Sequence, residues 1–170
     1  MYRLLYKTIL IIILCSNLIS VVDAEIVEGF ITKIDTINNK ISVDDKTYNI
    51  SNDCFIRFNN NPVTINGLKP VYPNYYKWAI VNINENLVKD IDSYYKVVEG
   101  EIKEVSLVAG WLTVTQFQQD SNSNCEPLIQ KYYFSEKFND KLKSYKKNGF
   151  IVLVTALDKL LYLPGINNSI

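Results

Sequence analysis

Catalysis near neutral pH usually depends on histidine, and this chain of 170 residues contains none. Its absence removes the commonest general base and the commonest nitrogen ligand of metals. A Ser-His-Asp triad and a Cys-His pair are excluded, because each needs an imidazole to activate the nucleophile. Carboxylates, cysteines and aromatic rings are the remaining side chains that can act on or hold another molecule.

Two glutamates occupy matching places in the sequence. Glu28 and Glu99 each precede the glycine of a repeated Val-Glu-Gly motif. Glycoside hydrolysis needs two carboxyl groups at a defined separation, so this pair is the candidate for such an activity. A solvated strand position in each copy is the simpler interpretation. Since the chain also lacks a glycine-rich phosphate loop and a calcium-binding loop, we expect no metal, no cofactor and no enzymatic activity.

The cysteines leave two interpretations open. Cys54 and Cys125 fall one in each copy of the repeat, and Cys15 lies in the N-terminal apolar segment. In an oxidising compartment Cys54 and Cys125 are candidates for a disulfide between the copies. The alternative is two separate, half-buried thiols.

Aromatic rings are the most suggestive class of side chain. Neighbours along a strand point to opposite faces, so each Tyr-Tyr pair offers one inward ring and one outward ring. Such rings on barrel surfaces bind oligosaccharides and oligonucleotides; the alternative is that they fill two small cores and the contact between them. The candidate ligand-binding residues are Tyr72, Tyr75, Tyr76, Tyr95 and Tyr132.

The elements that position these residues are repeated. Val27-Glu28-Gly29 returns as Val98-Glu99-Gly100 at an offset of 71 residues, and the apolar strand from Trp78 is answered by one from Phe150 at an offset of 72. Two matches that keep nearly one spacing indicate a duplicated unit.

Each copy reads as five strands, because apolar and β-branched residues alternate between polar turns. The first copy predicts strands at Val27–Asp35, Lys40–Val43, Thr47–Ile50, Trp78–Asn84 and Leu87–Ile91. The second predicts strands at Val97–Val105, Trp111–Phe117, Leu128–Phe134, Phe150–Thr155 and Lys159–Leu163.

A helix is predicted between the third and fourth strands of the second copy. Ser135 is placed as its N-cap, and Phe138, Leu142 and Tyr145 share one helical face. Prolines break the matching segment of the first copy, where we expect a short turn. The fold class is therefore mainly β: two tandem five-stranded OB-like barrels, the second with a helix between strands 3 and 4.

The motifs Gly29-Phe30-Ile31-Thr32-Lys33-Ile34, Ile41-Ser42-Val43 and Leu68-Lys69-Pro70 resemble small OB-like domains of unknown function that repeat in exported bacterial proteins. The resemblance covers most of residues 27–91 and, more loosely, 98–163. It implies a tandem small-barrel fold and carries no catalytic residues. The chain departs from the pattern after Leu-Lys-Pro, where Val71-Tyr72 replaces the usual Gly-Asp.

The N-terminus predicts an export signal. Arg3 and Lys7 precede an apolar run from Ile9, and small residues before position 25 suit a signal peptidase. The expected organisation is a signal peptide at 1–24, one barrel at 25–93 and a second at 94–170, with no transmembrane segment after cleavage; an uncleaved anchor is the alternative. The expected location is extracellular, at the cell surface or periplasmic.

These observations favour a binding or scaffolding role. Lys and Arg together number 18, as do Asp and Glu, so the chain lacks the basic excess typical of nucleic-acid binding. A glycan or a protein is therefore the favoured partner, at the cell surface or envelope. The alternatives are a carboxylate-dependent hydrolase of extracellular polymers and a self-associating structural protein of the envelope.

Overall fold

The computed structural model describes residues 24–71, 75–119 and 125–164. Within them the chain forms two five-stranded rings in succession, which confirms the mainly β, OB-like tandem fold expected from the sequence. The predicted signal peptide lies outside the described residues, apart from Ala24.

The first barrel closes in the order β1–β2–β3–β6–β5, with β5 returning to β1. All of these contacts are antiparallel except the parallel pairing of β3 with β6. Its strands are β1 (Glu25–Asp35), β2 (Lys40–Val43), β3 (Lys46–Phe58), the short β4 (Asn61–Pro62) attached to β3, β5 (Trp78–Asn84) and β6 (Leu87–Tyr94).

The second barrel closes in the same order, β7–β8–β9–β11–β10, again with one parallel contact, between β9 and β11. Its strands are β7 (Lys96–Ser106), β8 (Trp111–Gln119), β9 (Cys125–Tyr133), β10 (Phe150–Ala156) and β11 (Lys159–Tyr162). The duplication seen in the sequence is therefore a duplication of strand order.

The repeated motif also fixes the same register in both barrels. Gly29 pairs with Ala79, and Gly100 pairs with Ile151. The first strand of each barrel then bulges at the same place, after Ile31 and after Ile102. A bulge bends a strand and increases its twist, which lets one long strand pair with two different neighbours around the ring.

Both motif glycines are required by close approach. A Cβ atom on Gly29 would clash with the Asp44 carboxylate, which accepts a hydrogen bond from the Phe30 amide at 2.9 Å. A Cβ atom on Gly100 would clash with the backbone carbonyl of Thr115. The Val-Glu-Gly repeat is thus explained by packing between strands.

Several predicted elements differ in extent from those observed: β6 continues past Ile91 to Tyr94, β9 begins at Cys125 rather than Leu128, and two further elements differ more. The third strand of the first barrel was expected at Thr47–Ile50 but runs to Phe58, because a register shift between Ile50 and Phe55 carries it past its polar segment. The helix of the second barrel is shorter than its apolar spacing indicated. A 3₁₀ turn at Glu136–Phe138 leads into α1 (Asn139–Lys143), and Ser135 precedes them without a side-chain cap hydrogen bond.

The segment of the first barrel that corresponds to this helix is a 3₁₀ turn at Ile65–Leu68, as its prolines predicted. Each helical segment closes its barrel with apolar side chains. Leu68 is buried in the first core, and Phe138 and Leu142 are buried in the second.

A third apolar cluster joins the barrels, and we call it the junction cluster. β6 ends at Tyr94 and β7 begins at Lys96, so the barrels are held side by side by packing rather than separated by a linker. The cluster consists of buried Val154, Ala156 and Leu161 of the second barrel with Phe30, Trp78, Tyr94, Tyr95 and Tyr162 packed against them.

Among the described residues, no helix has both the length and the apolar character needed to cross a membrane.

Candidate functional site

Two aromatic residues stand opposite each other on the outside of the second barrel. Trp111 of β8 pairs directly with Tyr133 of β9. Their inward neighbours, Leu112 and Tyr132, are buried in the barrel core, so the alternation of the strands directs Trp111 and Tyr133 outward. The Tyr133 side chain is 48% exposed.

Three more side chains extend this surface, which we call the ring face. Thr113 pairs with Lys131, and Ile129 follows at the next outward position of β9. The Lys131 Nζ atom lies 4.3 Å from the centroid of the Trp111 ring, a cation–π distance. The ring face thus consists of Trp111, Thr113, Ile129, Lys131 and Tyr133.

The predicted site residue Tyr132 lies on the other side of the same strand. It is 1% exposed, and its hydroxyl accepts a hydrogen bond of 2.9 Å from the Gln116 side-chain amide. Burial raises the pKa of this phenol. The Tyr-Tyr pair therefore does supply one inward and one outward ring, and the outward one is Tyr133.

A groove runs from Tyr133 toward the first barrel, and we call it the junction groove. Its volume is about 330 Å³, and both barrels contribute to its walls. On one side the rings of Phe30 and Trp78 meet edge to face, with centroids 5.2 Å apart. The lining residues are Phe30, Trp78, Tyr133, Phe134, Ser135, Lys137, Lys159, Leu160 and Leu161.

Two lysines contribute positive charge to the junction groove. Lys159 Nζ lies 4.9 Å from the Trp78 ring centroid and 2.7 Å from the Glu28 carboxylate. Lys137 Nζ lies 5.9 Å from the Phe30 ring centroid and 5.0 Å from that of Phe138. None of the ion pairs found among the described residues includes Lys137.

Beside this groove lies a larger cleft of about 640 Å³, formed by the turn between β7 and β8 and by the residues that lead into α1. Phe134 and Ser135 line both spaces. Asn139 lines only the cleft, and its side-chain oxygen is buried without a hydrogen-bond partner. The cleft lacks the facing aromatic rings of the junction groove.

The other predicted tyrosines belong to the contact between the barrels. The Tyr75 ring lies 5.0 Å from that of Tyr162, and the Tyr76 amide donates a 3.0 Å hydrogen bond to the Tyr162 hydroxyl. Tyr95 packs against the junction cluster, and its amide donates to the Asn59 side chain at 3.1 Å. Tyr72 lies outside the described residues.

Among the described side chains Cys54 is a free thiol, and it packs at the edge of the first core. Burial, reinforced by Asp90 and Asp53, raises its pKa to about 11. Because the thiolate is the reactive form, this environment suppresses nucleophilic chemistry. The side chain of Cys125 lies outside those described, so its pairing with Cys54 stays a prediction.

The paired glutamates have different surroundings. Glu28 forms the ion pair with Lys159 described above, whereas Glu99 is an exposed residue of β7 opposite Val152. Among the described residues, no three Cys, Asp or Glu side chains converge in a group able to hold a metal ion.

The ring face and the Lys137 contribution were not singled out from the sequence. The alternation of Trp111 and Thr113 with the buried Leu112 and Val114 along β8 was the signal for an outward face. No comparable local signal exists for Phe30, because the groove forms only where residues of the second barrel meet Phe30 and Trp78.

Comparisons with protein-family models, curated proteins and solved structures find no match to this chain. The resemblance to exported tandem barrel domains therefore stays a prediction, and the function is argued from the site alone.

Proposed function

We propose that this chain is an exported, non-enzymatic binding module that holds a glycan on the ring face of its second barrel. The observation that carries the proposal is the outward pair of Trp111 and Tyr133, which stand directly opposite each other on adjacent strands. Two such rings form a platform that can stack against successive units of a polymer.

The place of these rings in the fold supports the proposal. OB barrels bind oligosaccharides and oligonucleotides on the face of their second and third strands, and β8 and β9 are those strands in the second barrel. This step is an analogy between folds. The balanced charge of the chain favours a sugar polymer over a nucleic acid, whose binding depends on neutralising phosphates.

Export is the second part of the proposal. It is supported by the basic, apolar and small-residue segments of positions 1–24, and by the resemblance to domains of exported bacterial proteins. A binding module outside the cytoplasm would meet glycans at the cell surface, in the envelope or in the surroundings.

Co-sedimentation of the purified protein with washed cell envelopes and insoluble glycans tests the binding. The double variant Trp111→Ala/Tyr133→Ala removes both rings. Stacking of a nucleic-acid base on an aromatic ring is worth roughly 1–3 kcal/mol. With a similar value for a stacked sugar unit, we expect the double variant to lose at least about tenfold in affinity.

The matched control lies in the first barrel. Lys40 and Asn49 form the opposite pair at the corresponding place on β2 and β3, and Lys40→Ala/Asn49→Ala should bind like the native protein. Failure of the native protein to bind any glycan would overturn the proposal. Release of new reducing ends from a bound glycan would overturn its non-enzymatic part and return attention to Glu28 and Glu99.

A further inference from the structure

The junction groove differs from the ring face because it requires both barrels. Phe30 and Trp78 come from the first barrel, and Tyr133, Phe134 and Leu161 come from the second. Its volume of about 330 Å³ is at the lower end of the range for small-molecule sites, which are apolar with a few polar groups. That volume suits one sugar ring rather than a chain.

Duplication alone does not create this groove. The positions that match Phe30 and Trp78 in the second barrel are Glu101 and Phe150, which also pair across their strands. Phe150 is 60% exposed and does not line the groove. The two rings therefore form a wall only where the first barrel meets the second.

The charge of the groove is positive. Of its two lysines, Lys159 is balanced by Glu28, while the Lys137 Nζ atom lies near the rings of Phe30 and Phe138 and forms no ion pair with the described residues. The neighbouring Glu136 lines the adjacent cleft and not this groove. An uncompensated cation beside apolar walls selects a ligand that carries both an apolar surface and an anionic group.

We propose that the junction groove binds the acidic sugar unit of a carboxylated glycan. The apolar face of the pyranose ring lies against Phe30 and Trp78, and its carboxylate lies at Lys137. Because Tyr133 belongs to both the groove and the ring face, neighbouring units of the same chain continue onto Trp111. This inference rests on the proposed glycan-binding function and adds the chemical class of the glycan.

The test compares acidic with neutral soluble polymers, using polygalacturonate and alginate against hydroxyethylcellulose and laminarin. Binding is measured by biolayer interferometry on the purified native protein and three variants. Lys137→Gln removes the charge and Lys137→Arg keeps it. Lys141→Gln is the matched control, because Lys141 is an exposed lysine of α1 that does not line the groove.

We expect tighter binding of the acidic polymers. Lys137→Gln should weaken it about tenfold, the loss of one charge-assisted contact, while Lys137→Arg and Lys141→Gln retain it. Binding of the neutral polymers should be unchanged in all three variants.

Three other outcomes would contradict the inference. If neutral and acidic polymers bind equally well, and Trp111→Ala/Tyr133→Ala abolishes both, the inference fails while the proposed function stands. If Lys137→Gln and Lys141→Gln weaken acidic binding equally, the attraction is a general one and the groove is not its site. If no polymer of either class binds, the inference and the proposed function both fail.

Discussion

The two barrels share one strand order, but the cations on β3 and β6 of the first barrel and on β9 of the second have different partners. In the first barrel the Arg57 guanidinium forms a bidentate pair with Asp92, and Lys89 pairs with Asp53 at 3.0 Å. In the second barrel Lys131 lies over the Trp111 ring and forms no ion pair among the described residues. A cation that already forms an ion pair attracts an added anionic ligand less strongly.

The comparison distinguishes features that both barrels need for their fold from features that only one barrel has. The glycines, the bulges and the strand register recur in both barrels and therefore serve the ring of strands. The facing pair of outward rings, Trp111 and Tyr133, occurs in the second barrel, whereas Lys40 and Asn49 stand at the corresponding place in the first. Divergence after duplication has placed the features suited to binding on one copy, with the other contributing Phe30 and Trp78 at the junction.

Breaking the junction should have the largest effect on this arrangement. Leu161→Ala removes a buried side chain from the junction cluster, and we expect a loss of about 2–5 kcal/mol in unfolding free energy. The neighbouring Leu160 belongs to the core of the second barrel instead. Leu160→Ala is therefore the matched control, with a similar cost but an intact junction cluster.

The fluorescence of the two tryptophans shows whether the two barrels unfold together or separately. Urea unfolding is followed by fluorescence in Trp78→Phe and Trp111→Phe backgrounds, so that each barrel has its own reporter. In Leu161→Ala the two reporters should change at different urea concentrations, because the barrels no longer support each other. Coincident transitions in that variant would show that the junction cluster does not couple them.

The two motif glycines provide a second comparison between the barrels, with a smaller expected change in unfolding free energy. Gly100→Ala meets the backbone carbonyl of Thr115, which cannot move without shifting β8, so we expect a loss of about 1–3 kcal/mol. Gly29→Ala meets the end of the Asp44 side chain and the Val43 methyl group, which can turn away more easily. Urea unfolding should find Gly29→Ala the milder of the two. The reverse order would mean that Asp44 is held more firmly than the Thr115 backbone.

The paired charges of the first barrel predict a difference in titration. A hydrogen bond from Ser51 and the interaction with Lys89 lower the pKa of Asp53 below 3.8. Because the folded-state pKa is lowered, these contacts favour folding above pH 3.8 and lose that effect as the pH falls through the folded value.

Side-chain NMR titration measures this effect directly. Lys89→Met should move the Asp53 pKa back toward 3.8. Lys131→Met is the matched control and should leave the Asp53 titration unchanged, since Lys131 lies over the Trp111 ring of the other barrel. An Asp53 pKa that stays equally low in Lys89→Met would show that Lys89 does not contribute to the shift.

The smallest expected effect concerns Cys54. With its pKa raised to about 11 by burial, the thiol stays protonated at pH 8 and should react with iodoacetamide far more slowly in the folded protein than in urea. Intact mass before and after alkylation gives the result. A disulfide with Cys125 would instead leave no thiol to alkylate in either state until a reductant is added.

The sequence predicted the elements that local patterns determine. The alternation in β1, β5 and β7 and the polar turns between strands are local, and they led to the correct strand order. β3 was predicted too short because Ser51-Asn52-Asp53 has the composition of a turn, whereas its continuation is stabilised by a parallel partner more than thirty residues away.

The site was harder to predict for the same reason. The cluster of Tyr75, Tyr76 and Trp78 suggested a binding surface, yet Tyr75 and Tyr76 contact Tyr162, which follows them by more than eighty residues. Which rings a second barrel covers depends on how two barrels dock, and no periodicity within one strand carries that information. Tyr132 and Tyr133 could be separated only once the inward face of β9 was known.

The position of the junction cluster also has a consequence for how the chain is made. Val154, Ala156 and Leu161 come from the last two strands, whereas Phe30 and Trp78 are synthesised long before them. Domains generally fold from the N-terminus as the chain emerges, so a newly folded first barrel carries an uncovered aromatic patch. Until β11 has been added, that patch is open to association with other chains, and strands of the second barrel cover the aromatic residues of the first.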